Sequence, residues 1–396
     1  MSGSFHIAVV PDCFYGHFYT FTCKLTHDSV TYNAYKEIHC AVDVLIRQSF
    51  FLLHGFKGGQ GFVEVLLILS LVLFLLGDSF RKFLVGGWRY HHLHWPRGGR
   101  AAGLLLLACA GFVVWMVRRA RRTLGKPHPC WRWYLAAVAC LIVGLAIVPV
   151  MDYWPDMWLS LRLLHLHLNT LGFIGLTAIG TLQVLMPTIL AGPDVEASAR
   201  LRDDLAPAVA GVFLIALGAA VWSPEWRLVR WTLLLPGSLC LLYVIGRLAL
   251  AWIRRYGWSS MAGNGAAASL AGAVGGLLLL VALGIAHGLG RLNGHDAVPA
   301  FIAGFLLPLV TGALTQLLPV WCTPGKRTAM RDRLHATLGL GGVFRVFVFT
   351  ASGVALALGQ RAGLWLCVAG LLSFVALVLR ALIMLLLSAP PAEKIP

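Results

Sequence analysis

An all-α, polytopic membrane bundle is the fold class predicted by this sequence, and three observations predict it. Hydrophobic residues make up 59% of the 396 positions and charged residues only 12%, with a mean hydropathy of +0.79. Apolar stretches near the length of a membrane-spanning helix, roughly 20 residues, recur along the chain. Between them the basic residues gather in short clusters, as cytoplasmic loops do. A soluble globule of this length could not solvate so apolar a composition. The net charge of +16 therefore belongs to loops at a membrane surface, and nucleic acid is excluded as a partner.

Residues 1–60 form an atypical N-terminal segment, polar and aromatic, with Cys13, Cys23 and Cys40. No basic start leads into an apolar run there, so no cleavable signal is expected. Beyond it, about ten helices are predicted, at 61–77, 101–118, 134–151, 160–190, 206–222, 229–253, 264–290, 297–321, 335–358 and 362–388. The first two, with their basic loops, occupy 61–133. The nine cysteines contain no CxxC pair, which argues against a zinc module or a disulfide framework. Cys109, Cys140, Cys240 and Cys367 lie inside apolar runs and read as small packing residues.

Loop charge gives the orientation. Arg118, Arg119, Arg121, Arg122, Lys126 and Arg132 place the loop before 134 on the cytoplasmic side, and Asp152 and Asp156 place the next loop outside. Arg254 and Arg255, then Lys326, Arg327, Arg331 and Arg333, continue the alternation. It breaks upstream, where Arg81, Lys82, Arg89, Arg97 and Arg100 occupy a loop assigned to the outside.

Residues 134–255 and 264–388 read as two copies of a four-helix unit offset by 132 positions, which pairs Gly172 with Gly304, Phe173 with Phe305, Gly180 with Gly312 and Pro187 with Pro319. The same offset pairs Gly144 with Gly276. An even number of helices per unit makes the copies parallel across the bilayer.

The stretch LLHLHLNTLGFIGLTAIGTLQVLMPTILAGPDV carries the polar residues of most interest, because such groups are costly in lipid and turn inward. On a helical wheel Asn169, Gly172 and Gln183 lie within about 40° of His165, whereas His167 points about 200° away. His165 is thus the better placed of the two as a ligand, and the alternative is that both histidines cap interfacial hydrogen bonds. His287, in LGIAHGLG, has small neighbours that would admit a flat macrocycle. His295 beside Asp296, and His335 at the start of 335–358, read as candidate ligands or helix-end caps. A neutral imidazole is the usual ligand of iron, copper or zinc.

The cluster His91, His92 and His94 before Trp95 reads as a headgroup-binding segment first and a His-rich metal tract second. Arg247 and Arg380 read as snorkelling side chains. Arg345 lies deeper and is the candidate for a buried anionic partner, such as a haem propionate.

From His165 or His167, through Gly172, Gly175 and Gly180, to LQVLMPTILAGPDV ending at Val195, the chain resembles subunit I of the haem-copper oxidases and the related NnrS-type haem-copper membrane proteins. Their corresponding helix starts at a haem-ligand histidine and ends in a segment of the type G-N-x-L-V-P-x-x-I-G-A-P-D-M. The resemblance implies arcs of four helices, haem and copper as cofactors, and His165 or His167 as a metal ligand; by their own positions His287 is a further candidate metal ligand, and Asn169, His335 and Arg345 are candidate cofactor contacts. It also implies a redox partner protein, a bacterial inner membrane, and a role in respiratory or nitric oxide metabolism. The family's His-Pro-Glu-Val-Tyr, His-His and His-x-His copper and haem ligands are missing from residues 206–388, so a binuclear oxygen-reducing centre is not expected. A transporter and a cofactor-free assembly subunit are the alternatives, and the lack of mid-membrane carboxylates between 134 and 388 counts against a proton-coupled carrier.

Overall fold

The computed structural model describes residues 96–123, 127–190, 192, 194–221, 223–292 and 297–388. The segment 1–60, the predicted helix 61–77, the cluster His91, His92 and His94, and His295 with Asp296 lie outside these residues. Every regular element among the described residues is helical. In hydrocarbon a lone span must satisfy its backbone internally, and a helix does so with no partner strand.

The chain runs through α1 (Pro96–Arg121) and α2 (Cys130–Tyr153) into α3, which is assembled from Trp158–His167, a π-helical stretch Leu168–Gly175, and Leu176–Leu190. Then come α4 (Ala197–Asp203), α5 (Leu205–Ala220), α6 (Arg227–Gly263) and α7 (Gly265–Gly288). Next is α8, made of Ala297–Phe301, a second π-helical stretch Ile302–Leu306, and Leu307–Cys322. It is followed by α9 (Ala329–Gly339), α10 (Gly342–Ala357) and α11 (Ala362–Ser388). Seven of these helical stretches are long and apolar enough to cross a membrane, or eight if α4 and α5, bent by 41°, form one broken span. The chain is a helical membrane protein.

Neighbours in sequence pack as neighbours in space: α2 on α1 and α3, α5 on α6, α6 on α7, α7 on α8 and α10, and α10 on α11. Tight crossings depend on glycine, as close helix contact does in membranes. A Cβ on Gly172 would sit 2.7 Å from that of Cys140, and one on Gly180 would sit 2.8 Å from that of Trp133. A Cβ on Gly276 would coincide with the carbonyl oxygen of Gly304. Trp133, Trp252, Phe305, Phe349 and, unusually, Arg345 are the largest side chains sealed inside.

Breaks in the helices follow local chemistry. Asn264 caps α7, its side-chain oxygen accepting from Ala266 N–H at 3.0 Å and Ala267 N–H at 3.1 Å. At the far end of α7, Gly290 adopts φ 72° while Gly290 N–H bonds to His287 O and Arg291 N–H to Ala286 O. This is the left-handed glycine cap that closes many helices. The long α6 is interrupted at Gly257, whose φ of 73° no other residue adopts readily.

Candidate functional site

The widened turn of α3 organises the polar residues singled out in the sequence. A π-helical insertion rotates the residues after it and disturbs the i→i−4 ladder. Just before and within it, side chains bond to backbone carbonyls of the same helix. His167 Nδ1 lies 2.8 Å from Leu163 O, Asn169 Nδ2 donates to His165 O at 2.8 Å, and Thr170 Oγ1 donates to Leu166 O at 2.8 Å.

His165 turns toward α2. Its Nδ1 lies 2.7 Å from Gly144 O, and its Nε2 lies 3.2 Å from Asn169 Nδ2. A carbonyl can only accept, so Nδ1 carries the proton and Nε2 receives the Asn169 amide. Both nitrogens are thereby used inside the protein. The His165 imidazole and Asn169 form a hydrogen-bonded clasp between α2 and α3.

His167 turns the other way, into a cleft walled by α3, α5, α6, α7 and α8 that encloses about 180 Å³. His287 enters the same cleft from α7. Thr170, Arg230, Trp231 and Ser238 are its other polar or amphipathic lining residues, and leucine, isoleucine, valine, alanine and Phe301 supply most of the remainder. His287 Nδ1 lies 2.9 Å from Leu292 O, a carbonyl brought back over the ring by the turn at Gly290. In both histidines, then, Nδ1 is the donor to a backbone carbonyl, and Nε2 is left as a bare acceptor. Neither Nε2 has a hydrogen-bond partner among the described residues. A backbone carbonyl on the far nitrogen is the usual support of a metal-binding imidazole, because it fixes the tautomer and raises ligand basicity.

The other candidates lie elsewhere. Arg345 is buried on α10, where its Nη1 donates to Leu340 O and its Nη2 to Leu338 O at 3.0 Å. Its guanidinium also lies over the Phe374 ring, 5.2 Å from the centroid. Its partners within the protein are the carbonyls at the end of α9 and an aromatic face. His335 lines a separate pocket at the opposite end of the bundle. Arg247 places its Nη1 3.1 Å from Asp204 Oδ1, a carboxylate whose side chain is 1% exposed. The charge pair anchors α6 to the α4–α5 bend.

Sequence reasoning passed over Thr170, Arg230, Trp231 and Ser238. Arg230 had a usable signal: with Arg227 it puts two positive charges at the outer end of α6, on the side opposite the basic loops at 118–132, 254–255 and 326–333. Among the described residues no group of three or more His, Cys, Asp or Glu side chains converges as a ligand set. The fold and the cleft thus define a helical membrane protein with a paired-imidazole pocket near one membrane face. No family model matches the chain, and neither does any curated protein or solved structure.

Proposed function

We propose that this protein binds a redox metal centre, haem in the first instance, in the cleft between α3 and α7, with His167 and His287 as its protein ligands. One observation carries the reading: two imidazoles from different helices line one largely apolar cavity, and each has its Nδ1 on a backbone carbonyl, which leaves Nε2 as the nitrogen available to a metal. The lining is of a kind that surrounds haem, with mostly aliphatic walls and Arg230, a planar cation of the sort propionates prefer. The cleft is smaller than a haem, however, and its walls would have to part to admit one. When bound, haem would supply reversible one-electron chemistry, and the chain would supply ligation, orientation and a dry surround. A copper ion on the same two nitrogens is the second reading. It is favoured by the modest enclosed volume, about 180 Å³, and by the affinity of imidazole for copper.

The haem-copper oxidase and NnrS-type resemblance is the context for this reading, with respiratory or nitric oxide redox chemistry, a redox partner protein and a bacterial inner membrane as its setting. The architecture belongs with it: about ten helices, of which α2–α6 and α7–α11 form two parallel copies of one unit. In support of the duplication, π-helical stretches occur in both α3 and α8, a short helix precedes both α5 and α10, and Gly144 and Gly276 each meet the following helix at its crossing.

The test is an absorption spectrum of the detergent-purified protein, oxidised and then dithionite-reduced, with metal analysis alongside. A Soret band, or bound copper, that is lost in His167→Ala and in His287→Ala but kept in His165→Ala supports the proposal. A colourless, metal-free protein after expression with added haem precursor and copper refutes it, and the transporter and assembly-subunit alternatives then stand.

A further inference from the structure

At the opposite end of the bundle, where the connections are basic, a second cavity of about 720 Å³ opens between the end of α3, the α6–α7 connection, α8, α9 and the start of α10. Arg327, Arg331 and His335 line it together with Thr315 and Gln316, and among the described residues no carboxylate does. The first turn of α10 also faces it, through Gly342, Val343 and Phe344. No side chain caps that helix, whose N-cap is Gly341. Its leading N–H groups therefore add partial positive charge to the pocket.

The α4 end of the bundle handles its cations differently. Arg200 and Arg255 converge there on Asp194, at 2.7 Å and 3.3 Å, so the protein provides the anion itself. Beside the second cavity, Asp332 pairs with Arg327 at 2.6 Å, where both side chains are exposed. Arg331 donates to Thr323 O, to Thr323 Oγ1 at 3.1 Å and to Gly325 O at 3.0 Å. These neutral acceptors fix the guanidinium in place and leave its charge uncompensated.

The chemistry beside the pocket narrows the occupant. On α10, Phe344 and Phe347 stand at i, i+3 and are 65% and 71% exposed, with Val343 exposed beside Phe344. Val343 and Phe344 also line the cavity, as does Leu340 just past the end of α9. In a membrane such an outward apolar strip contacts acyl chains. A cationic pocket joined to an acyl-facing strip fits an amphiphile better than a free ion.

We propose that this pocket is a binding site for an anionic phospholipid, with the headgroup phosphate between Arg327, Arg331 and the first turn of α10 and the acyl chains along Phe344 and Phe347. The lipid would hold α9 and α10 against α7 and α8 from the basic side.

The test uses the full chain, delipidated in a neutral detergent. Thermal unfolding and native mass spectrometry are followed on addition of phosphatidylglycerol, phosphatidylcholine or inorganic phosphate. Phosphatidylglycerol should raise Tm and remain bound in the gas phase, phosphatidylcholine should do so more weakly, and millimolar inorganic phosphate should leave Tm unchanged. Arg327→Gln should weaken phosphatidylglycerol binding by about fivefold. Ala336→Glu, which adds a carboxylate to the pocket lining at an exposed position, should weaken it at least as much, with the lipid-free Tm of both variants unchanged. Equal effects of the two lipids, unaltered binding in both variants, or an equal Tm rise with inorganic phosphate would each overturn the proposal.

Discussion

The Nδ1 of His165 lies 2.7 Å from the carbonyl oxygen of Gly144, so an imidazole reaches across the α2–α3 crossing to a helix carbonyl in the heart of the first helices. Gly144 is what lets α3 come so close: a Cβ there would lie 2.9 Å from Asn169 Nδ2. His165→Ala removes the cross-helix bond to the Gly144 carbonyl and one of the two acceptors of the Asn169 amide, leaving it the backbone carbonyl of residue 165. Leaving a buried polar group unsatisfied costs about 1–3 kcal/mol. The variant should therefore unfold at lower temperature in detergent while keeping any chromophore seated on His167 and His287. A chromophore lost in His165→Ala and kept in His167→Ala would reverse these assignments.

The α7–α8 crossing allows a comparison between two adjacent glycines. A Cβ on Gly276 would collide with the Gly304 carbonyl, and backbone on both sides leaves little room to yield. Gly275, one position earlier, faces out, with nothing within 4 Å of its built Cβ. Gly276→Ala should destabilise the protein by about 1–3 kcal/mol or more, the usual cost of overpacking. Gly275→Ala should be neutral, or stabilising by up to about 1 kcal/mol through helix propensity. Paired thermal unfolding curves decide the matter, and similar Tm values for the two variants would mean that the crossing is looser than described.

Acid should loosen the junction of α3, α4 and α6. Burial works to raise the Asp194 pKa, but the hydrogen bond and charge of Arg200, the Glu196 N–H and the charge of Arg255 together outweigh it and hold the carboxyl below its ordinary value. A carboxylate with a folded pKa below its unfolded one contributes stability that is complete above the unfolded pKa. That stability is lost as the pH falls through the folded value. Tm should thus be insensitive to this group above about pH 5 and fall below about pH 4. Asp194→Asn should have a lower Tm near neutrality and a shallower acid decline. Parallel acid profiles for the two proteins would exclude Asp194 as a source of the loss.

Composition and loop charge reveal the membrane class, and the apolar runs locate most of the helices from α2 to α11 within a few residues, but α4 has no counterpart among the predicted helices, α6 runs on past residue 253, and the run 335–358 starts earlier and divides at Gly341. What the pattern cannot reveal is which side of a helix is inside. A wheel with His165 and His167 on opposite sides invites a choice between them, on the premise that one side meets lipid. Yet α3 is packed on both sides, by α2 at His165 and by α5, α6 and α7 at His167. The π-helical turn at Leu168–Gly175 compounds this, because it shifts the phase on which any wheel depends. The partner of Arg345 was illegible for a related reason: backbone carbonyls of α9 leave no trace in side-chain spacing.

Arg345 itself gives the last prediction. It is 2% exposed, and its guanidinium bridges the carbonyls of Leu338 and Leu340 while lying over Phe374 of α11. One planar group thus joins the end of α9, the turn at Gly341 and the outermost helix. Lysine could keep the charge, but not two donors in a plane or the flat face that stacks on the ring. Arg345→Lys should therefore destabilise by about 1–3 kcal/mol through one lost charge-assisted hydrogen bond and the lost stacking. Arg345→Met should cost at least as much, because the freed carbonyls gain no donor. Limited proteolysis should then cut first in the connection between α8 and α9 or at the turn by Gly341. If both variants match the wild-type Tm and cleavage pattern, the guanidinium holds nothing together.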